Sequence, residues 1–164
     1  MGHTRVLAAG LAAFVSLAPL TSCASPDDGA NASGRCSVRT DRAPLEKRFP
    51  LFGKPERAHW CGVVLGAGDA RVPGPTDVRL AGVVVLAPGA FARVVRDLGA
   101  HPVTAAPEGL PEEIVEFLPR GAGWRRSDRL DRSVSQGRYS GSFLVDTAHR
   151  AVLVDCVDPV PPAH

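Results

Sequence analysis

The sequence predicts a small α+β domain: an antiparallel sheet of four to five strands with one or two helices on one face. Three observations predict it. Two β-rich runs come early, at residues 60–65 and 78–87. Two more, at residues 139–145 and 151–157, close the sequence with only five residues between them. Between these pairs the apolar residues change from a β-type run to helical spacing.

The first run, residues 60–65, is short and apolar and leads into Gly66-Ala67-Gly68, the pattern of a strand and its turn. Val72-Pro73-Gly74-Pro75-Thr76 is a loop. In residues 78–87, Val83-Val84-Val85-Leu86 is apolar on both faces, which places this strand centrally, and Gly82 marks a bulge. Phe91, Val94, Val95 and Leu98 then recur at i, i+3, i+4 and i+7, an amphipathic helix with Pro88 in its first turn and Gly99 past its end. Residues 102–111 form a linker. Glu112, Glu113 and Glu116, interleaved with Ile114, Val115, Phe117 and Leu118, start a short helix that Pro119 stops. Residues 124–134 are dense in charge and fit an exposed edge strand, where charge blocks unwanted pairing. The last two runs form a hairpin, with Val152, Val154 and Cys156 on one face.

Composition bounds the function. The chain has 164 residues, 19 Lys and Arg against 17 Asp and Glu, and a net charge of +2. That balance argues against a nucleic-acid binder. Hydrophobic residues at 45% and charged residues at 22% exclude wholesale disorder. Aromatics at 5%, with 17 Gly and 15 Pro, point to a small core and much turn.

The N-terminus reads as an export signal. Arg5 is its one fixed charge, and residues 6–20 are an apolar run interrupted by Gly10, Ser16 and Pro19. A spanning helix needs about 20 apolar residues, so this run suits the core of a signal peptide better than a span. The run ends at Leu20-Thr21-Ser22-Cys23, which resembles the lipobox of bacterial lipoproteins. That resemblance implies that Cys23 receives a diacylglyceryl group, becomes the mature N-terminus and holds the protein on the extracytoplasmic face of the cell membrane. Two other readings stand beside it. Ser22-Cys23-Ala24 also satisfies ordinary signal peptidase, which would release a soluble protein, and an uncleaved run would be a weak anchor. The layout is then a signal peptide at 1–22, a lipidated cysteine, flexible tether and Pro-rich basic segment at 23–58, one domain at 59–160, and a tail at 161–164. The stretch from Trp60 to Val157, rich in Ala, Gly, Arg, Pro and Val, also resembles exported lipoproteins of high-GC actinobacteria to which no activity is attached.

With Cys23 assigned to lipid, Cys36, Cys61 and Cys156 remain, and export favours a disulfide. The preferred pair is Cys61 with Cys156, which would join two core strands across a loop of roughly 95 residues. Cys36 with either partner is the alternative. His59 and Cys61 share a strand face, and Cys156 lies on a β-rich run; zinc accepts such sulfur and nitrogen ligands. No Cys-x-x-Cys pair and no fourth ligand accompany them, so no metal and no cofactor is expected.

No catalytic constellation is evident. Gly-x-Ser-x-Gly is absent. Gly66-x-Gly68 has Arg71 where a dinucleotide loop needs its third glycine, and Pro73 and Pro75 follow. His101 and His149 fall in loops. Residues 120–138 hold six Arg against two Asp, flanked by aromatics. Arg125, Arg126, Arg129 and Arg132 are therefore a candidate anion-binding face for an anionic polymer or lipid head groups, beside the plainer reading of a charged edge. The expected function is that of a lipid-anchored cell-envelope protein with a noncatalytic binding or structural role. Its expected partners are the membrane, through the lipid on Cys23, and an envelope protein or anionic polymer. The alternative is a small exported, hydrolase-like enzyme of unfamiliar site. A pocket gathering His59, Asp155 or serines would favour the enzyme, and an exposed apolar groove the binder.

Overall fold

The computed structural model describes residues 30–31, 36–65, 77–99, 101–105 and 107–158. The apolar leader, Cys23 and the loop expected at 66–76 lie outside the described residues. The elements are β1 (Ala30–Asn31), α1 (Ala43–Arg48), a 3-10 turn (Pro50–Phe52), β2 (Pro55–Leu65), β3 (Asp77–Leu86), α2 (Pro88–Leu98), β4 (Val103–Thr104), α3 (Glu112–Val115), β5 (Arg125–Arg126), α4 (Asp128–Ser135), β6 (Ser140–Asp146) and β7 (Ala151–Asp158). They form one sheet in the order β1-β2-β3-β7-β6-β5-β4. Strands β2 to β7 pair antiparallel throughout, and β1 adds to β2 in parallel.

The α+β class and the antiparallel sheet hold. The strand count is higher than four to five, because β4 and β5 are two-residue strands too short to show a period. The expectation of one covered face is also corrected. Register places Trp60, Leu80, Val84, Phe143, Val152 and Val154 on a first face, beneath α1, the 3-10 turn, α2 and α4. Cys61, Ala81, Val83, Leu144 and Leu153 lie on the second face, beneath Ile114 of α3 and Trp124. The two-sided apolar character of β3 follows from this double cover.

Helix α2 begins with Pro88 and buries Ala90, Val94 and Leu98. The segment expected as an edge strand is a strand for two residues only; residues 128–135 are helix α4. Ser127 caps it, its hydroxyl accepting from the Leu130 N–H at 3.2 Å. Leu130 and Val134, four apart, are its buried stripe. Six charged or polar residues around two apolar ones hid that stripe. Gly82 is not a bulge: it lies in continuous register opposite Trp60, and the shift in this pair falls between Pro55 and Arg57.

The domain starts well before residue 59. Leu45, Phe49 and Phe52 are fully buried. The Phe49 ring meets Phe52, Tyr139 and Phe143 at 5.2, 5.4 and 5.6 Å. Arg39 and Trp60 exchange two backbone hydrogen bonds, and Arg48 pairs with Asp158 at the end of β7. The prolines of this segment do exclude a long helix. Pro44 and Pro50 instead sit in the first turns of short ones, where the missing N–H costs nothing.

The disulfide joins Cys36 to Cys61, with Cα atoms 5.4 Å apart. The preferred pairing of Cys61 with Cys156 is overturned by register. Cys61 stands opposite Ala81, which stands opposite Asp155, whereas Cys156 stands opposite Leu80. The two sulfurs therefore point to opposite faces, with β3 between their strands. Cys156 is the buried free thiol. Burial, then the neighbouring Asp155 and Asp158, push its thiol up to about 12, so it stays protonated and inert.

Candidate functional site

The second face of the sheet is open at one end. Register sets Arg57 of β2 beside Val85 of β3, and His59 beside Val83. All four point to the same side, because alternate strand residues share a face. Farther along that row lie Ala151 of β7 and Asp146 of β6. Phe117 and Pro119, just after α3, stand over Val83 and Val85, and His149 of the β6–β7 turn closes the far side. The result is a cleft of about 370 Å³.

The turn that presents His149 is held on both sides. Asp146, 1% exposed, accepts from the Gly123 N–H and the His149 N–H at 3.1 Å each, and from His149 Nδ1. Arg150 takes a left-handed backbone, φ 54°. Its guanidinium donates to the Leu86 carbonyl at 3.1 Å and to Glu56 at 3.1 and 3.2 Å, tying the turn to the ends of β3 and β2. With Nδ1 donating to a carboxylate, a neutral His149 ring carries its free lone pair on Nε2. The side chain is 44% exposed, so Nε2 is open to a ligand or water.

Burial by itself would raise the Asp146 pKa. The hydrogen bonds from the His149 ring and from the Gly123 and His149 backbone outweigh it and hold the carboxyl below its ordinary value of 3.8. A carboxyl depressed in the folded state stabilises the fold above its unfolded pKa, and that contribution is lost as pH falls through the folded pKa. Asp146→Asn is therefore expected to cost about 2 kcal/mol at neutral pH. It should also flatten the fall of the melting temperature below about pH 4. Thermal melts of both proteins from pH 7 to pH 2 check this; parallel curves would refute it.

His59 stacks on Phe117 with ring centroids 4.0 Å apart and planes 7° from parallel. Its Nδ1 is buried and has no hydrogen-bond partner among the described residues. Arg57 is exposed and makes no ion pair among the described residues.

The sequence-based candidates fall elsewhere. Arg125 and Arg126, adjacent on β5, point to opposite sides. Arg125 donates to the Pro102 carbonyl at 3.1 Å, and Arg126 is tied to Asp131 at 2.8 Å and faces Asp128 at 4.0 Å. Arg129 and Arg132 are exposed on α4, three residues apart. The four guanidiniums thus do not form one face. Asp155 does not join His59: it is paired with Arg79 at 2.8 and 2.9 Å, beside a separate hollow of about 180 Å³ that includes Ser142 and Arg126. His59, Cys61 and Cys156 do not converge either, since Cys61 is disulfide-bonded and Cys156 lies on the other face. Among the described residues no group of three His, Cys, Asp or Glu is placed to hold a metal ion.

In the sequence Arg57 falls at the end of the Pro-rich basic segment and His149 in an exposed loop, and neither by itself carries a local sign of a site. The legible signal was Asp146-x-x-His149 spanning a hairpin turn, a spacing at which the carboxylate folds back on the turn. Comparisons with protein-family models, with curated proteins and with solved structures find no match for the chain.

Proposed function

We propose that this protein is lipid-anchored through Cys23 on the extracytoplasmic face of the cell membrane, and that its domain works by binding rather than by catalysis. The cleft carries the second half of this reading. Val83, Val85, Phe117 and Pro119 form an apolar floor and wall, Arg57, His59 and His149 bring polar groups to the rim, and no hydroxyl or thiol lines it. Small-ligand sites have this composition. The Cys36–Cys61 bond supports export, since such bonds persist outside the reducing cytosol. The Leu20-Thr21-Ser22-Cys23 motif supports the lipid. Among the described residues no helix is long and apolar enough to cross a membrane. The partner is a component of the cell envelope rather than nucleic acid.

Expression in a bacterium that processes lipoproteins tests the anchor. The parent is expected in the membrane fraction, and Cys23→Ala in the soluble extracytoplasmic fraction. If the variant stays with membranes as firmly as the parent, the anchor is refuted.

One observation favours the enzyme alternative. An imidazole whose Nδ1–H is held by a buried carboxylate is oriented as a general base, and without a side-chain nucleophile it would act on water. Ester or phosphoester turnover that disappears in His149→Ala would establish that alternative and displace the binding reading.

A further inference from the structure

We propose that the cleft takes a small organic anion, with its acid group at Arg57 on the rim and an apolar, ring-sized body on Val83, Val85 and Phe117. The proposal rests on the binding reading and adds the ligand class. Three observations carry it.

The first is the charge of the lining. Arg57 supplies a cationic donor, and no carboxylate lines the cleft. Asp146 lies behind His149 and is occupied by two backbone N–H groups and the ring. The neighbouring hollows differ. Glu108 and Asp155 line the one beside Ser142, and Glu113 lines the one beside Cys36. Each of those also has an arginine, Arg126 in the first and Arg79 in the second, so acid and base stand together there, whereas this cleft has a base alone.

The second is the surrounding field. Near the start of β2, Arg42 donates to the carbonyls of Pro55 and Glu56, at 3.0 and 3.4 Å, and has no ion pair among the described residues. Glu56, beside Arg57 on β2, is paired with Arg150, and the exposed Glu116 and Arg120 flank the wall residues Phe117 and Pro119 with one charge of each sign. Lys54 and Arg57 are exposed and without ion pairs among the described residues. Positive charge gathered around a concave, low-dielectric site draws anions toward it. An arginine guanidinium also matches the planar oxygens of a carboxylate or phosphate.

The third is the body of the site. A cavity of about 150 Å³ holds one benzene ring. A cleft of about 370 Å³ floored by two valines therefore has room for a ring and its acid group. The His59 ring, stacked on Phe117, extends that wall with a flat surface.

The test is an NMR and calorimetric titration of the mature chain with benzoate and phenyl phosphate, against benzamide and benzyl alcohol as neutral rings and acetate and inorganic phosphate as bare anions. Benzoate or phenyl phosphate is expected to bind at least tenfold more tightly than benzamide, with shifts at Val83, Val85 and Phe117. Arg57→Gln should remove that margin, and Arg129→Gln on α4, on the other face of the sheet, should change neither benzoate nor benzamide binding. Equal binding of neutral and anionic rings would overturn the anion assignment and leave the binding reading standing. Bare anions binding as well as the ring acids would overturn the apolar body. Loss of the margin in Arg129→Gln as in Arg57→Gln would show a general field rather than this site. If no probe perturbs the cleft, the ligand class and the binding reading fall together.

Discussion

Replacing Gly82 with alanine is expected to destabilise the domain by about 3 kcal/mol, read as a lower denaturant midpoint at unchanged slope. Gly82 lies in the middle of β3, between Trp60 on β2 and Val154 on β7. A Cβ added there would stand 2.5 Å from Trp60 Cβ, 2.7 Å from the His59 carbonyl oxygen and 2.8 Å from Trp60 Cα. Two of these are backbone atoms and cannot rotate away. β3 is paired on both sides, so it cannot retreat without opening a ladder. Trp60 is equally fixed, since its Nε1 donates to the Asp41 carbonyl at 2.8 Å and the Arg39 guanidinium lies 4.7 Å from its ring centroid. Gly89 is the control. An added Cβ there meets nothing within 4 Å, so Gly89→Ala in the first turn of α2 should be neutral or slightly stabilising. A Gly82→Ala midpoint equal to that of the parent would show slack between β2 and β3 and refute the account.

Opening the Cys36–Cys61 bond is expected to cost about 3–4 kcal/mol, the chain-entropy value for so short a loop. The bond spans 25 residues of sequence and closes the loop that carries α1 and the 3-10 turn. Without it, residues 36–54 are held by the burial of Leu45, Phe49 and Phe52, the Arg39–Trp60 bridge, the Arg48–Asp158 pair and the Arg42 hydrogen bonds to the start of β2. Urea unfolding with and without reductant measures this, and the midpoint should fall by about 2 M. Cys36→Ser should match the reduced parent. Cys156→Ala should leave the reductant-dependent shift as it is, because Cys156 lies on the other face and takes no part in the bond. A midpoint indifferent to reductant would refute the role given to the bond. His59 sits two residues before Cys61 on the same face, so loosening this edge also reaches the cleft.

The parts of the fold legible in the sequence are those whose signal is local. Val83-Val84-Val85-Leu86 announces a strand covered on both sides. The stripe from Phe91 to Leu98, between Pro88 and Gly99, announces α2, and the runs around the β6–β7 turn announce the hairpin. Helix α4 is masked in the sequence because Asp128, Arg129, Asp131, Arg132, Ser133 and Ser135 outnumber its two buried residues, although Ser127 is a legible cap. In residues 36–58 the prolines break periodicity, so the sequence offers Leu45, Phe49, Leu51 and Phe52 only as apolar residues able to pack over the domain edge. What buries Phe49 is Tyr139 and Phe143, which arrive much later in the chain. The cleft was illegible for the same reason, since Arg57, His59, Val83, Phe117 and His149 come from separate stretches that only the sheet assembles.

By itself the sequence determined the α+β class, the antiparallel closing hairpin and the position of α2, because alternation and helical spacing are written in neighbouring residues. The tertiary structure alone decided that Cys36 and not Cys156 meets Cys61, that the core begins before residue 59, and that Arg57, His59 and His149 border one cleft. Each of these depends on cross-strand register, and a slip of one residue would turn every side chain of a strand to the other face. Register is set by packing between distant segments, so it has no local signature to read.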